Sequence, residues 1–301
     1  MSDHSASTDH APHDITGPTV SVVGSINLDM VARAPRLPLP GESVTDAQLA
    51  QHPGGKGANQ ALAARRLGAR VVMHGGVGQD PEAKQALSLL RAAGIDLSGL
   101  KVFADRPTGL ALIVVAENGD NQIVVAPGAN RAFTREHLHL KPADAVICQM
   151  EIPRDTLVAV TEQCGDAFFC LNLSPVREVP QPVLDRADLI VVNEVDVAAT
   201  EPLLAGYRGV LAITKAARGA DLKRGGETVA SAAAPKVKVV DTTGAGDAFT
   251  AALTLALLRG DDPAAALAYA CAAGSCAAAA PGTQHSFPDP AAVAELMAGA
   301  G

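Results

Sequence analysis

Two glycine-rich segments hold the residues whose types and spacing could do chemistry. One reads Asp241-Thr242-Thr243-Gly244-Ala245-Gly246-Asp247 and leads straight into an apolar, alanine-rich stretch from Ala248. Gly244 to Gly246 fall where a helix would begin, so their N–H groups lack intrahelical acceptors and can cradle an anion at the positive end of the helix dipole. An acidic residue in the first turn is favoured by that dipole on its own account. Asp247 would also project beside the anion, placed to take a proton from a hydroxyl attacking a phosphoryl group. Phosphoryl transfer needs charge neutralised on the equatorial oxygens, a metal at the nucleotide phosphates and a base for the acceptor oxygen. This segment offers the first and the third. It is not a dinucleotide fingerprint, because Gly244-x-Gly246 lacks the third glycine.

The other segment, His52-Pro53-Gly54-Gly55-Lys56-Gly57-Ala58-Asn59-Gln60, also opens a helix. It is not a P-loop, since Ala50 and Gly57 stand where that pattern requires Gly and Ser or Thr. It supplies backbone that a ligand can approach closely, an ammonium on Lys56 and an amide on Asn59. A simple turn into a helix explains the glycines equally well; the Lys-Gly-Ala-Asn run adds the case for a polar ligand.

The elements that must position these residues alternate strand and helix. Thr19–Val23, 70–74, 143–148, 167–171, 189–192 and Val210–Thr214 read as strands. Helices are expected over 58–67, from Pro81 towards Gly94 with Asp80 as cap, over 153–163 and over 194–204. Such alternation predicts an α/β fold, Rossmann-like, with a mainly parallel sheet covered by helices on both faces. Two segments break the pattern: 110–115 and 122–126 flank an Asn118-Gly119 hairpin signal, and 32–52 is rich in Pro and Gly. They predict a small β lid from about 32–52 and 102–126, over a site or at a dimer surface. Two helices separated at 259–263 are expected from Thr242 to Ala280.

Composition sets the outer bounds. The 301 residues carry a net charge of −8, against a general nucleic-acid binder. With six Phe, two Tyr and no Trp, ring-stacking sites are excluded as well. Five cysteines without a CxxC fit neither a disulfide framework nor a zinc knuckle, and the eight histidines lack metal-ligand spacing. A cytoplasmic protein with reduced thiols is expected. Residues 1–18 read as a disordered leader without a secretory signal, ahead of a domain over 19–301.

Taken together, the residues resemble the ribokinase family of carbohydrate kinases. The matches run in order: Gly24-Ser25-Ile26-Asn27-Leu28-Asp29, Pro40-Gly41-Glu42, Gly54 to Gln60, Ala126-Pro127-Gly128-Ala129-Asn130, Gln149-Met150-Glu151, Asn172-x-x-Pro175, Asn193-Glu194 and Asp241 to Asp247. The resemblance implies transfer of the γ-phosphoryl group of ATP to the 5-hydroxyl of D-ribose, giving D-ribose 5-phosphate for sugar catabolism. It makes Asp247 the catalytic base and Gly244, Ala245 and Gly246 the anion hole. Sugar would be held by Asn27, Asp29, Gly55, Lys56, Asn59 and Glu151. The nucleotide would meet Asn193, Thr214, Lys215, Ala216, Ala217, Arg218, Gly219 and Cys271, together with Gly246 and Asp247. The implied cofactors are magnesium with the nucleotide and a monovalent cation, potassium, at Asp241, Thr243, Ala277, Ala280, Gly282 and Ser286. Independently of the resemblance, unpaired strand edges in the lid lead to the expectation of a homodimer through it, and charge and hydropathy to that of no nucleic-acid or membrane partner.

The family pattern is departed from in three places. The Asn-x-x-Glu motif ends in Asp196, one methylene shorter. The nucleotide loop carries Lys215, Ala216 and Ala217 in place of a smaller Gly and Ser pattern. Cys271 stands where a His often faces adenine. Alternatives left open are another acceptor (deoxyribose, fructose or adenosine) and a sugar-binding relative without catalysis.

Overall fold

The computed structural model describes residues 16–204 and 206–299. Thirteen strands form two sheets. β1 (Thr19–Val23), β4 (Arg70–Gly78), β5 (Asp96–Phe103), β8 (Ala145–Gln149), β9 (Phe168–Asn172), β10 (Leu189–Asn193), β11 (Val210–Thr214), β12 (Ala220–Arg224) and β13 (Glu227–Ala232) build the large one. β2 (Asn27–Ala34), β3 (Gln48–Gly54), β6 (Gly109–Ala116) and β7 (Asn121–Ala126) build the small one. The helices are α1 (Lys56–Arg66), α2 (Pro81–Ala86), α3 (Ser88–Ala92), α4 (Ala129–Ala132), α5 (Arg154–Gln163), α6 (Gln181–Arg186), α7 (Val197–Thr200), α8 (Ala245–Leu258), α9 (Pro263–Ala278) and α10 (Pro290–Gly299).

The large sheet runs β13-β12-β11-β10-β9-β8-β1-β4-β5 and is parallel from β11 to β5, with β12 and β13 added antiparallel at one edge. Strand alternation divides two cores. β1 sends Val20 and Val22 to one side and Val23 to the other, and β8 splits Ala145 and Ile147 from Val146 and Cys148. The first core packs alanine-rich α1, α8 and α9, and the second packs α5 and α6 around Phe133 and Phe169. Small residues let α8 and α9 approach closely, so the shortage of aromatic rings leaves no shortage of contact.

The chain moves from β1 outward through β4 and β5, then returns to place β8 on the other side of β1. The crevice at the carboxyl ends of β1 and β8 is therefore a topological switch point, where open α/β sheets bind ligands. The small sheet, ordered β3-β2-β6-β7, pairs β2 with β6 in parallel and both hairpins antiparallel.

Several boundaries differ from expectation. The lid strands start at Asn27, five residues before 32, because β2 follows β1 after a three-residue turn. Residues 102 and 103 belong to β5 of the large sheet. The helix expected over 194–204 shrinks to a 3-10 turn at Glu194–Asp196 and the short α7. The helix from Pro81 breaks at Leu87 into α2 and α3, with Asp80 capping through Ala83 N–H at 2.9 Å. Of the expected leader, residues 1–15 lie outside the described residues; Gly17 and Pro18 accept hydrogen bonds from the Arg70 side chain and backbone, and so belong to the domain.

Candidate active site

The switch point is built from short side chains and close backbones. Ser25, just beyond β1, donates from its hydroxyl to the Glu151 carboxylate beyond β8. The Lys56 N–H reaches the same carboxylate oxygen at 3.4 Å, and the Gly57 N–H reaches Ser25 Oγ at 3.4 Å. A Cβ on Gly57 would stand 2.7 Å from Gly24 Cα, so only glycine lets α1 begin this close to the end of β1. The helix start thereby comes to rest on the crevice.

The lid brings the polar ends of β2 over it. Asn130, from α4, accepts the Ile26 N–H at 2.9 Å and donates to Asn27 Oδ1 at 2.8 Å, fixing the amide of Asn27. Asp29 is pushed up to about 7 by burial, with the negative charges of Glu151 and Asp247 acting in the same sense and Lys56 opposing. A carboxylate group of this kind, close to an ammonium, suits the capture of vicinal hydroxyls.

Asp247 lies in the first turn of α8 and is buried. Asn59 donates to its Oδ2 at 2.9 Å and Gln60 to its Oδ1 at 2.9 Å, both from α1. Burial raises its pKa, and Lys56 with the two amide donors pulls it back down, with Glu151 adding a smaller upward push. Gly244, at φ +81, makes the left-handed turn that starts α8. The Ala245 N–H is taken by the Thr242 carbonyl at 3.2 Å, whereas those of Gly246 and Asp247 donate to no acceptor among the described residues. The N–H groups left open at this terminus are thus those of Gly246 and Asp247, whereas the preceding turn closes on the Ala245 amide.

Asn193 and Thr214 end adjacent strands in register. Lys215 pairs with Asp221, which also accepts from Ser231 at 2.8 Å, and Arg218 pairs with Glu194. Both loop cations are therefore held by protein carboxylates. Ala216 takes φ +50, and the loop closes through Lys215 N–H to Gly219 O at 2.7 Å. Cys271 is buried against the Ala232 carbonyl, its thiol pushed up to about 11 by desolvation, so it forms wall between α9 and β13. Asn193 and Asp196 bond each other, Asn193 Nδ2 to Asp196 Oδ2 at 2.6 Å and Asp196 N–H to Asn193 Oδ1 at 2.9 Å.

The expected cation residues converge at the C-terminus of α9. Asp241 accepts from Thr243 N–H at 2.9 Å and Gly282 N–H at 3.4 Å, while its own N–H and that of Val240 donate to the Ala278 carbonyl. Ser286 is buried and donates to Thr283 O at 2.8 Å. One carboxylate, one hydroxyl and helix-end carbonyls make an oxygen set of low charge, which fits a monovalent ion. No cluster of three His, Cys, Asp or Glu suited to a metal occurs among the described residues.

Sequence reasoning assigned no role to Ser25, Gln60, Asn130, Gln149 or Gln284, nor to Arg66, which donates to the carbonyls of His285 and Phe287 at 3.0 and 2.7 Å. Ser25, Gln60, Asn130 and Gln149 stand inside the matched motifs, and that was the available signal. Gln284 and Arg66 carry none.

The chain belongs to a family of sugar-phosphorylating enzymes: the model of the pfkB family carbohydrate kinases matches residues 18–290. Among curated relatives, the ribokinase of Bacillus subtilis is 37% identical over 291 residues, covering 92% of this chain and 99% of the relative. Among solved structures, the ribokinase of Thermotoga maritima superposes with a TM-score of 0.83 at 28% identity, over 93% of this chain and 99% of that one. The Arabidopsis thaliana ribokinase complexed with ribose and ATP gives 0.79 at 28% identity, again over 93% and 99%. These likenesses agree with the mainly parallel sheet and small mixed lid sheet described above.

Proposed function

We propose that this chain is an ATP-dependent ribokinase. The observation that carries the reading is Asp247, buried at the N-terminus of α8 between two amide donors and beside Lys56, Asp29 and Glu151. Two likenesses support it: the near-complete coverage of the Bacillus relative, and the Arabidopsis ribokinase complexed with ribose and ATP.

Asn27, Asp29 and Glu151 would orient the sugar so that its 5-hydroxyl faces Asp247. Asp247 takes the hydroxyl proton as that oxygen bonds to the γ-phosphorus and the bond to the β,γ-bridging oxygen breaks, giving sugar 5-phosphate and ADP. The N–H groups at the start of α8 meet the charge on the transferring group. Lys56 offsets the carboxylates gathered around it. Asn193 and Asp196 would hold magnesium-bound water near the nucleotide, the ion supplying charge neutralisation on the phosphates. Potassium would lie among Asp241, Thr243, Ala277, Ala280, Gly282 and Ser286, steadying the turn into α8.

No helix among the described residues is long and apolar enough to cross a membrane. We place the protein in the cytoplasm, in keeping with its five free cysteines, and infer a homodimer through the lid, where β7 is exposed along its whole length.

The test is a sugar panel with ATP, magnesium and potassium. Ribose should give ribose 5-phosphate with a higher kcat/KM than 2-deoxyribose, because Asp29 is placed to bind neighbouring hydroxyls. Asp247→Asn should lose about 10²–10⁴-fold in kcat. Turnover kept within a few-fold would remove Asp247 as the base, and a preference for another acceptor would replace ribose.

A further inference from the structure

Two buried glutamines remain that the reaction above does not use. Gln60 and Gln149 are both fully buried, and Gln149 Nε2 donates to Gln60 Oε1 at 2.7 Å. An ionised carboxylate only accepts hydrogen bonds, so Gln60 must turn its Nε2 to Asp247 Oδ1 and its Oε1 away. That orphaned carbonyl then requires a donor, and Gln149, the last residue of β8, provides it. The direction of every bond in the chain is set by the charge at its end. Gln149 Oε1 is left buried with no partner, against Gly24, where a Cβ would stand 1.9 Å from it. A buried, unpaired carbonyl is a cost that an apolar pair of the same size would avoid. On the opposite oxygen a second arm runs from Asp247 to Asn59 and on to Gln284, whose Nε2 donates to Asn59 Oδ1 at 3.1 Å and whose Oε1 is likewise unpaired.

We propose that Gln60 and Gln149 are positioning residues for Asp247: an amide relay, anchored on the central sheet, that fixes the carboxylate plane and leaves each oxygen one free lone pair toward the acceptor hydroxyl. Neither glutamine need touch substrate. The proposal rests on the reading of Asp247 as the proton acceptor, and its test includes a readout independent of turnover.

Gln60→Met and Gln149→Met each remove one donor at nearly constant volume. Asp247 ionisation is followed by infrared difference spectra of the carboxyl stretch against an Asp247→Asn blank, and kcat and KM are measured with ATP and ribose. Gln60→Met should move the Asp247 titration upward by about one pH unit and lower kcat about 10–100-fold, with sugar KM within about two-fold of wild type. Gln149→Met should shift both in the same direction by less. If Gln60→Met does not fold, Gln149→Met decides, since it lies one residue further from the carboxylate. An unmoved titration, or a loss confined to KM, overturns the relay. Wild-type protein that turns over no sugar would instead overturn the kinase reading, while the infrared titration would still judge the relay.

Discussion

Three carboxylates, Asp29, Glu151 and Asp247, share one crevice with Lys56, and burial, aided by repulsion from the other two carboxylates, is what holds Asp29 near 7. In its ordinary range Asp29 would be ionised throughout the neutral region; here it ionises within it. In the proposed reading the ionised form accepts from the sugar, so kcat/KM for ribose should rise with pH through about 7, and Asp29→Asn should abolish that limb along with most sugar affinity. The same shift has a stability sign. The folded carboxyl holds its proton between 3.8 and about 7 where the unfolded one has lost it, so stability falls as pH rises through that window. Asp29→Asn should therefore raise Tm at pH 8 by about 2–5 °C and leave it unchanged at pH 4. A variant no more stable at pH 8 than the parent would show that Asp29 is not strained by its neighbours.

At the scale of elements, the loop between β11 and β12 carries a non-glycine residue in the left-handed region, Ala216 at φ +50. That conformation costs a Cβ-bearing residue about 1–2 kcal/mol, partly offset by the lower chain entropy of alanine when unfolded. Ala216→Gly should stabilise the protein by about 0.5–1 kcal/mol in denaturant unfolding; a loss would mean that the loop needs the methyl group for packing. The oxygens gathered at the C-terminus of α9 predict that turnover is faster in potassium than in sodium-only buffer and that Asp241→Asn erases the difference. Equal rates for the parent in both buffers would remove the cation from the reading.

These elements also show what could be read from residue order. β1, β8, β10 and β11 were legible because buried parallel strands are continuous apolar runs, and α8 and α9 because a cap, a break and a proline mark their ends. β12 and β13 leave little signal in the sequence: their polar segments, ADLKR and ETVASA, belong to an edge hairpin and resemble loop. α7 was overestimated because Asn193 and Asp196 bind each other and tighten the first turn into a 3-10 form. In the site, the residues proposed to touch ligands stand in recognisable motifs. Those that hold other residues in place, such as Gln284 and Arg66, depend on contacts more than 200 positions away and leave no local pattern.

For the whole molecule, the lid is the least self-sufficient part. β7 is exposed on every residue, and Leu112 and Val124, opposite each other in register, are 49% and 65% exposed. An apolar edge strand in this state invites pairing with another chain. Val124→Asp should leave the fold intact and convert a dimer to a monomer in light scattering. A parent that is already monomeric at micromolar concentration would dismiss the dimer.

One helix bears on how such an enzyme could be altered. α1 meets Glu151 through its first N–H, grips both oxygens of Asp247 through Asn59 and Gln60, and ends on Arg66, which clasps the loop bearing Gly282 and Ser286. Glu151, Asp247 and the 282–286 loop, the proposed acceptor, base and cation sites, thus share a single rigid rod. Engineering a new sugar preference along that rod would disturb rate and ion dependence together. Substitutions on β2, around Asn27 and Asp29, offer a route to altered selectivity that leaves the rod untouched.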